Sequence, residues 1–442
     1  MILSSVLGFL FGLLFFNNLW VAMSWSVFAL LIHRIFNESS KSFMFREWGL
    51  LLYCINYLIS PAITYQLNED LVLYAMKIEQ DAYYSLALPG FVCLSLGMFL
   101  IPTTIFSISL DSLKENIRQH ERILKTMFWI TLGLKFNQSV FPGELGFFIY
   151  LLASIRFICA FALISVKERN WLYIILVLSV ELAFGFLGAM YHDALMWFIF
   201  FGLYYLFVKR PSFQVKLLGG ISIFVLVLFV QAVKSVYRSA VWTGEQEASL
   251  EVVKNVGVSQ ADSKILLSTE NLLQTLNRGN QAWIFASTVD RMDRVQDFQG
   301  MNNVNLYLEA ALLPRFLAPN KLTSGNKEIF NAFSGHTINE ETSMGLGIFA
   351  DGYIAYGFWG VYAFGFALGL ILSLSFKIIE RWTNYSPLYV LTLLPLLNYA
   401  VRPDCELQTT INHLSKGLLL FWIIFLLTRQ RFKMTSAPQL NV

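Results

Sequence analysis

The feature that most constrains this chain is a long series of apolar runs, each close to the length of a bilayer-crossing helix, divided by short polar links. A hydrocarbon core of about 30 Å takes about 20 apolar residues of helix, fewer where the span is short or tilted. Twelve runs fit that requirement: 2–16, 19–35, 48–65, 84–106, 127–141, 145–166, 171–190, 193–208, 217–233, 346–376, 386–401 and 411–428. In the first of them Asn17-Asn18 marks either a tight hairpin or a polar notch in one long helix. The start carries no basic residue ahead of its apolar run and another run follows at once, which predicts a retained first span, not a cleaved signal peptide.

Composition agrees with this reading. Hydrophobic residues make up 56% of the 442 positions and charged residues 14%, a balance that would leave a water-soluble domain with large exposed apolar patches. The formal net charge of +3 is too small, and the cations too dispersed, for a nucleic-acid partner. The expected fold is an all-α polytopic membrane protein of about twelve helices. It divides into a bundle over 1–234, one large outer segment over 235–345 and a second bundle over 346–442.

Orientation follows from Lys and Arg in the short links, because basic residues resist translocation. Arg34, Lys41 and Arg46, then Lys114, Arg118, Arg122 and Lys125, then Lys167 and Arg169, then Lys209, Arg210 and Lys216, then Lys377 and Arg381, and finally Arg429, Arg431 and Lys433 mark one side. The opposite short links carry only Lys77 and Arg402, with Lys135 in the outer half of the fifth run. Both termini are therefore expected in the cytoplasm, and the segment from Tyr237 to Gly345 outside it. No internal repeat is visible, which weighs against transporters built from repeated halves.

The outer segment reads as folded. Apolar residues from Leu276 to Val289 recur near helical spacing after candidate caps at 268–271, and 306–313 makes a second helix stopped by Pro314 and Pro319. It gathers Arg278, Arg291, Arg294, Arg315, Lys321 and Lys327 beside His336, Glu340 and Glu341. Arginine's planar fork binds phosphate oxygens in pairs, so these side chains near a membrane surface suit a lipid-linked phosphate or serve as solvated surface charge. Arg315 is the best placed, between two prolines that fix its backbone. Inside the apolar runs, Arg156 and Glu181 either pair with each other or line a substrate cavity, since a charge at that depth requires one or the other. His192 and Asp193 read as cap residues.

Several chemistries have no template. HExxH, GxSxG, P-loop and GxGxxG patterns are absent. Cys54, Cys93, Cys159 and Cys405 show no paired spacing and read as small core residues. Glu69-Asp70 is an adjacent acidic pair able to hold a divalent metal, or simply solvated charge.

Two stretches carry a family resemblance. In 313–321, Pro314-Arg315 stands close to Pro319 and Lys321, and in 351–360 Tyr353, Tyr356, Gly357, Phe358, Trp359 and Gly360 form an aromatic and glycine pattern opening the next run. Together with the topology of nearly the whole chain, they resemble the Wzy-type oligosaccharide repeat unit polymerases of bacterial surface polysaccharide synthesis. An Arg-x10-Gly pattern of some members is not kept, since Gly325 lies ten positions after Arg315. The resemblance implies a GT-C-like membrane glycosyltransferase of the inner membrane that needs no cofactor and no metal. Its donor and acceptor would be undecaprenyl-pyrophosphate-linked oligosaccharides, joined into O-antigen or capsule at the periplasmic face, with a chain-length regulator as a protein partner. Arg278 and Arg315, with Lys321 and Arg402, would stabilise the pyrophosphate, and Arg156 would belong to the substrate cavity. His336 or Glu341 would be the base, and Tyr353 and Trp359 would stack on sugar or prenyl groups. Competing expectations are an O-antigen ligase, a flippase or other transporter of lipid-linked oligosaccharide, and a structural membrane component without catalysis.

Overall fold

The structure of the protein, a computed structural model, describes residues 1–67, 74–141, 143–187, 191–242, 250–313, 317–323, 325–338 and 344–433. Among them there is no strand. The chain opens with α1 (Ile2–Phe16) and α2 (Leu19–Glu38). Next come α3 (Phe45–Cys54) and α4 (Ser60–Gln66), joined through a π-turn at Ile55–Ile59, and α5 (Gln80–Phe99). Then follow α6 (Leu110–Gln119), α7 (Glu121–Phe136), α8 (Gly143–Ile164), α9 (Trp171–Leu187), α10 (His192–Lys209) and α11 (Phe213–Trp242). The large intervening segment holds α12 (Leu250–Gln260), α13 (Ser263–Leu266), α14 (Thr269–Arg278), α15 (Ala282–Val295), α16 (Met301–Leu312) and α17 (Lys327–Ser334). The chain closes with α18 (Ile348–Thr383), a 3-10 turn at Pro387–Thr392, α19 (Leu393–Leu397) and α20 (Leu407–Thr428).

Six stretches are long and apolar enough to cross a membrane: Leu19–Glu38, Gln80–Phe99, Leu145–Ile164, Phe213–Lys234, Ile348–Thr383 and Leu407–Thr428. Ile2–Phe16, Trp171–Leu187 and Pro387–Leu397 are shorter apolar helices. The ambiguity at Asn17-Asn18 resolves as a hairpin. Asn17 adopts a left-handed conformation (φ 47°, ψ 36°) that ends α1, and the Asn18 side chain accepts from the Val21 N–H at 3.1 Å to start α2. Gly8 and Gly12 let α1 lie directly on Trp25 and Ala22 of α2.

The run 346–376 is not one straight helix. At Tyr356 (φ −140°, ψ 24°) and Gly357 (φ 56°, ψ −139°) the chain reverses, so Ile348–Thr383 consists of a short arm folded back on a long one. In a continuous helix Gly352 and Gly360 would stand about 12 Å apart. Here their backbones touch, each occupying the space where the other's Cβ would be. Gly357 takes a conformation that other residues enter only at a cost. The long arm packs on α5 through glycines on both sides: Gly365 meets Gly90, Gly369 meets Leu94 and Met98, and Gly97 meets Phe366 and Leu370.

In the large segment, the expected helix over 274–292 is interrupted. Ser268 caps α14 by accepting from the Asn271 N–H at 3.2 Å, and Gly279 to Gln281 separate it from α15. The α15 residues Trp283, Phe285, Ala286 and Val289 are buried in the main core, so this part of the segment is built onto the bundle. α16 lies along α20 and the short arm of α18.

Candidate functional site

Two stretches of irregular backbone meet inside the bundle. Phe349 at the base of the short arm lies against Gly90 of α5 and Gly365 of the long arm, and the irregular Met344–Gly347 leads into it. Gly345 packs on the Asp404 carbonyl, and Gly347 (φ 85°) packs against Pro403 and the Tyr57 hydroxyl, so this stretch touches the link between α19 and α20. Backbone groups without helix partners need others at this depth. Gln281 Nε2 donates to the carbonyls of Gly345 (2.9 Å) and Leu346 (3.1 Å). Tyr57 Oη donates to Pro403 O (3.1 Å), and Tyr53 Oη to Arg402 O (3.4 Å).

That link turns Arg402 inward. Its Nη1 donates to Asp193 Oδ1 at 3.0 Å, Nη2 to Asp404 Oδ2 at 3.2 Å and Nε to Asp404 Oδ1 at 3.4 Å, while the guanidinium lies 4.8 Å from the Tyr399 ring centroid. Tyr399 in turn meets Tyr150 through their hydroxyls and stacks near His413 at 4.6 Å. Asp193 and Asp404 keep side-chain exposures of 32% and 41%, and His192 is exposed too. These residues, with Arg402 held among them, therefore line a hollow that solvent reaches. Burial works against the charge on Asp404, yet Arg402 beside it, with a smaller contribution from His192, holds its carboxyl well below the usual carboxylate range. Arg402 is likewise driven above its ordinary value, the cost of burial being outweighed by Asp404, Cys405 and Asp193.

A second polar group adjoins the first. Arg156 bonds Glu181 and donates to the Ala153 carbonyl at 2.5 Å, and Lys135 reaches the other Glu181 oxygen at 3.5 Å. Lys135 feels Asp193 electrostatically, and Tyr150 feels both Asp193 and Glu181, so the two groups face one region between α7, α8, α9 and α10. Lys234 of α11 joins them beside Tyr191 and His192. Among the described side chains, three cations (Lys135, Arg156, Arg402) are paired with three carboxylates (Glu181, Asp193, Asp404), and Lys234 stands beside them.

The residues singled out in the sequence separate in space. Arg402 and Arg156 are brought together as described, and Arg156 does pair with Glu181. Arg278 is exposed at the end of α14. Lys321 donates to the Leu313 carbonyl at 2.5 Å. His336 lies with α15, Nε2 on Ser287 Oγ at 2.9 Å and the ring 5.1 Å from Trp283; burial, then Lys77, lowers its basicity. Tyr353 on the short arm donates to Asp293 Oδ1 at 2.5 Å. Arg315, Glu341 and the acidic pair Glu69-Asp70 lie outside the described residues.

Three residues of this neighbourhood escape sequence reasoning. Asp193 reads as a cap, Lys135 as a lone cation in the outer half of the fifth run, and Asp404 is not singled out, because nothing local signals that α10 and the 398–406 link converge. Asp351 is a fourth: its Oδ2 accepts from the Leu407 N–H at 2.7 Å, at the start of α20, where a carboxylate suits the helix dipole. Next to it Glu406 Oε1 accepts from the Gly325 N–H (2.7 Å) and Thr409 Oγ1 (3.1 Å), and Gln408 donates to Leu322 O (3.0 Å). These bonds strap the large segment to α20. Among the described residues no group of His, Cys, Asp and Glu is arranged to hold a metal.

The fold and this hollow define an all-helical protein with membrane-length helices and a charged site among them. A model of one family, the domain of unknown function DUF8712, matches residues 51–391, more than half of the chain, and the protein belongs to that family. The match includes α8 to α10 and the large segment, and ends before the link that carries Arg402. No curated protein and no solved structure matches the chain.

Proposed function

We propose that the protein is a membrane glycosyltransferase that joins lipid-pyrophosphate-linked oligosaccharides into a surface polysaccharide, with the hollow around Arg402 as its reaction chamber. In this reading the chain crosses the bacterial inner membrane twelve times, both termini are cytoplasmic and the large segment faces the periplasm. The observation that supports it is the Arg402 fork, shared between two partly exposed carboxylates, Asp193 and Asp404, where two stretches of irregular backbone meet. Irregular backbone at such depth occurs where it is covered by protein or lines a cavity, and marks binding sites in other membrane bundles.

The chemistry suits the residues. A pyrophosphate entering the hollow competes with Asp193 and Asp404 for the Arg402 fork, which then holds the leaving group. The acceptor hydroxyl oxygen bonds to the anomeric carbon of the donor as that carbon's bond to the pyrophosphate oxygen breaks. The electron pair leaves on the lipid pyrophosphate. Asp193, freed from Arg402, takes the hydroxyl proton, a role that geometry favours over His336 because His336 is engaged with Ser287. No nucleotide is consumed, since the anhydride already activates the donor.

The test is a membrane preparation supplied with lipid-linked repeat units. Polymer should form with the unaltered protein and fail with Arg402→Ala, single units accumulating instead. If the unaltered protein moves units across the bilayer without joining them, or does neither, the reading is wrong.

A further inference from the structure

Far from the Arg402 chamber, the elbow between α6 and α7 carries a second charged surface. α6 is strongly amphipathic: Leu110, Leu113 and Ile117 are buried, and Asn116 ties it to the bundle through Phe432 O (3.0 Å) and the Ser386 hydroxyl (2.7 Å). At His120 the chain turns into α7, and a cavity of about 510 Å³ opens along the elbow. Arg118, Arg122, Lys125 and Trp129 line it. Lys125 and Lys167 share Glu121 (2.7 and 2.6 Å) and Arg118 approaches Glu115 (3.5 Å), so among the described side chains here four cations, with Arg122, face two carboxylates. The excess of two positive charges is suited to a phosphodiester.

The same face of α7 continues as an apolar track. From Arg122 the positions 126, 129, 133 and 136 follow at helical spacing on one side. Trp129 and Phe136 are exposed there, and between them Gly133 is bare: nothing lies within 4 Å of where its Cβ would stand. Arg122 to Phe136 spans about 21 Å along the helix, close to half of a bilayer of about 40 Å with its headgroups, that is, to one lipid from headgroup to tail. Basic residues, then tryptophan, then an open apolar strip is the order that a lipid's headgroup, interface and tail require.

We infer that this face is a binding site for an anionic phospholipid, its phosphodiester among Arg118, Arg122 and Lys125 and one acyl chain laid over Gly133 between Trp129 and Phe136. The inference does not rest on the proposed glycosyl transfer. All the named side chains except Lys125 are exposed, so substitutions there leave the core intact.

The experiment is native mass spectrometry of the full-length protein titrated with dioleoyl phosphatidylglycerol, against dioleoyl phosphatidylcholine and inorganic phosphate. Retention should favour the anionic lipid. Arg122→Ala and Lys125→Ala should each weaken it about fivefold, as expected for one cation at an anionic surface. Gly133→Leu, which favours helix and so preserves α7, should weaken dioleoyl but not dihexanoyl phosphatidylglycerol. Equal retention of the two dioleoyl lipids, or no change in Arg122→Ala, overturns the site. Displacement of the lipid by millimolar inorganic phosphate, with Gly133→Leu unaffected, overturns the lipid in favour of a free phosphate.

Discussion

Arg402 and Asp193 are separated by 209 positions in the chain and joined by a 3.0 Å hydrogen bond. One comes from a link between helices and the other from the first turn of α10. Their meeting makes the hollow around them a single polar site.

Removing Arg402 tests that site at two levels. Arg402→Ala strands Asp193 and Asp404, and because both keep some exposure the loss of stability should fall between that of surface and buried ion pairs, about 2 kcal/mol. Arg402→Lys should retain most of that stability but lose polymer formation, since an ammonium cannot engage a pyrophosphate with a fork. Thermal melts beside product ladders separate the two. A lysine variant that makes normal ladders would remove the fork from the mechanism.

Arg156 and Glu181 provide a contrast. Both are buried, so Arg156→Leu or Glu181→Leu alone should cost about 3 to 5 kcal/mol, whereas the double substitution should recover only part of the loss, because Lys135 is left without Glu181. The observable is the melting temperature of the three variants. If each single variant melts like the parent, the pair is not held as described.

The short arm of α18 is expected to tolerate nothing larger than glycine at its crossing point. Gly352→Ala or Gly360→Ala drives a methyl into backbone, and should cost about 1 to 3 kcal/mol or more. Gly357→Ala should cost a similar amount for a different reason, its positive φ. Proteolysis near the arm, compared with Gly133→Ala on the open face of α7 as a neutral control, reads out both effects.

Acid and base act on the 398–406 link in opposite senses. Asp404 has a folded-state pKa below its unfolded one, so its contribution is fully present above about pH 4 and is lost only as pH falls through the depressed folded value. Glu406 is the reverse: burial raises its pKa against the pull of the Gly325 N–H and Thr409, so stability falls as pH rises from the ordinary carboxylate range through the raised value. Glu406→Gln, which keeps the acceptor for Gly325, should flatten the decline of melting temperature between pH 4 and 8. An unchanged slope would show that another group titrates.

Helical content and the apolar runs were legible because hydropathy and helix length are local properties. The hairpin at Asn17-Asn18 and the cap at Ser268 were written in short polar signals of the same kind. The fold-back at Tyr356-Gly357 was not, since apolar residues continue through it and only one glycine marks the turn. Arg402 was visible as an isolated cation in a link, but its partners were not: Asp193 has the composition of a cap, and nothing in the chain between them tells that α10 and the 398–406 link share a wall. The outer-segment arginines were read as one anion-binding set, yet Arg278 is exposed on its own helix end. Charge type can be read locally, whereas convergence depends on which helices pack together.

The glycine contacts between α5 and the long arm of α18 have one more consequence. Where backbone meets backbone at these glycines there is no side chain to slip or repack, so the two helices are clamped at those points as one double-thickness beam. The fold-back is joined directly to that beam, and the Arg402 link rests against its base, so the polar site is anchored on the stiffest contact between two long helices.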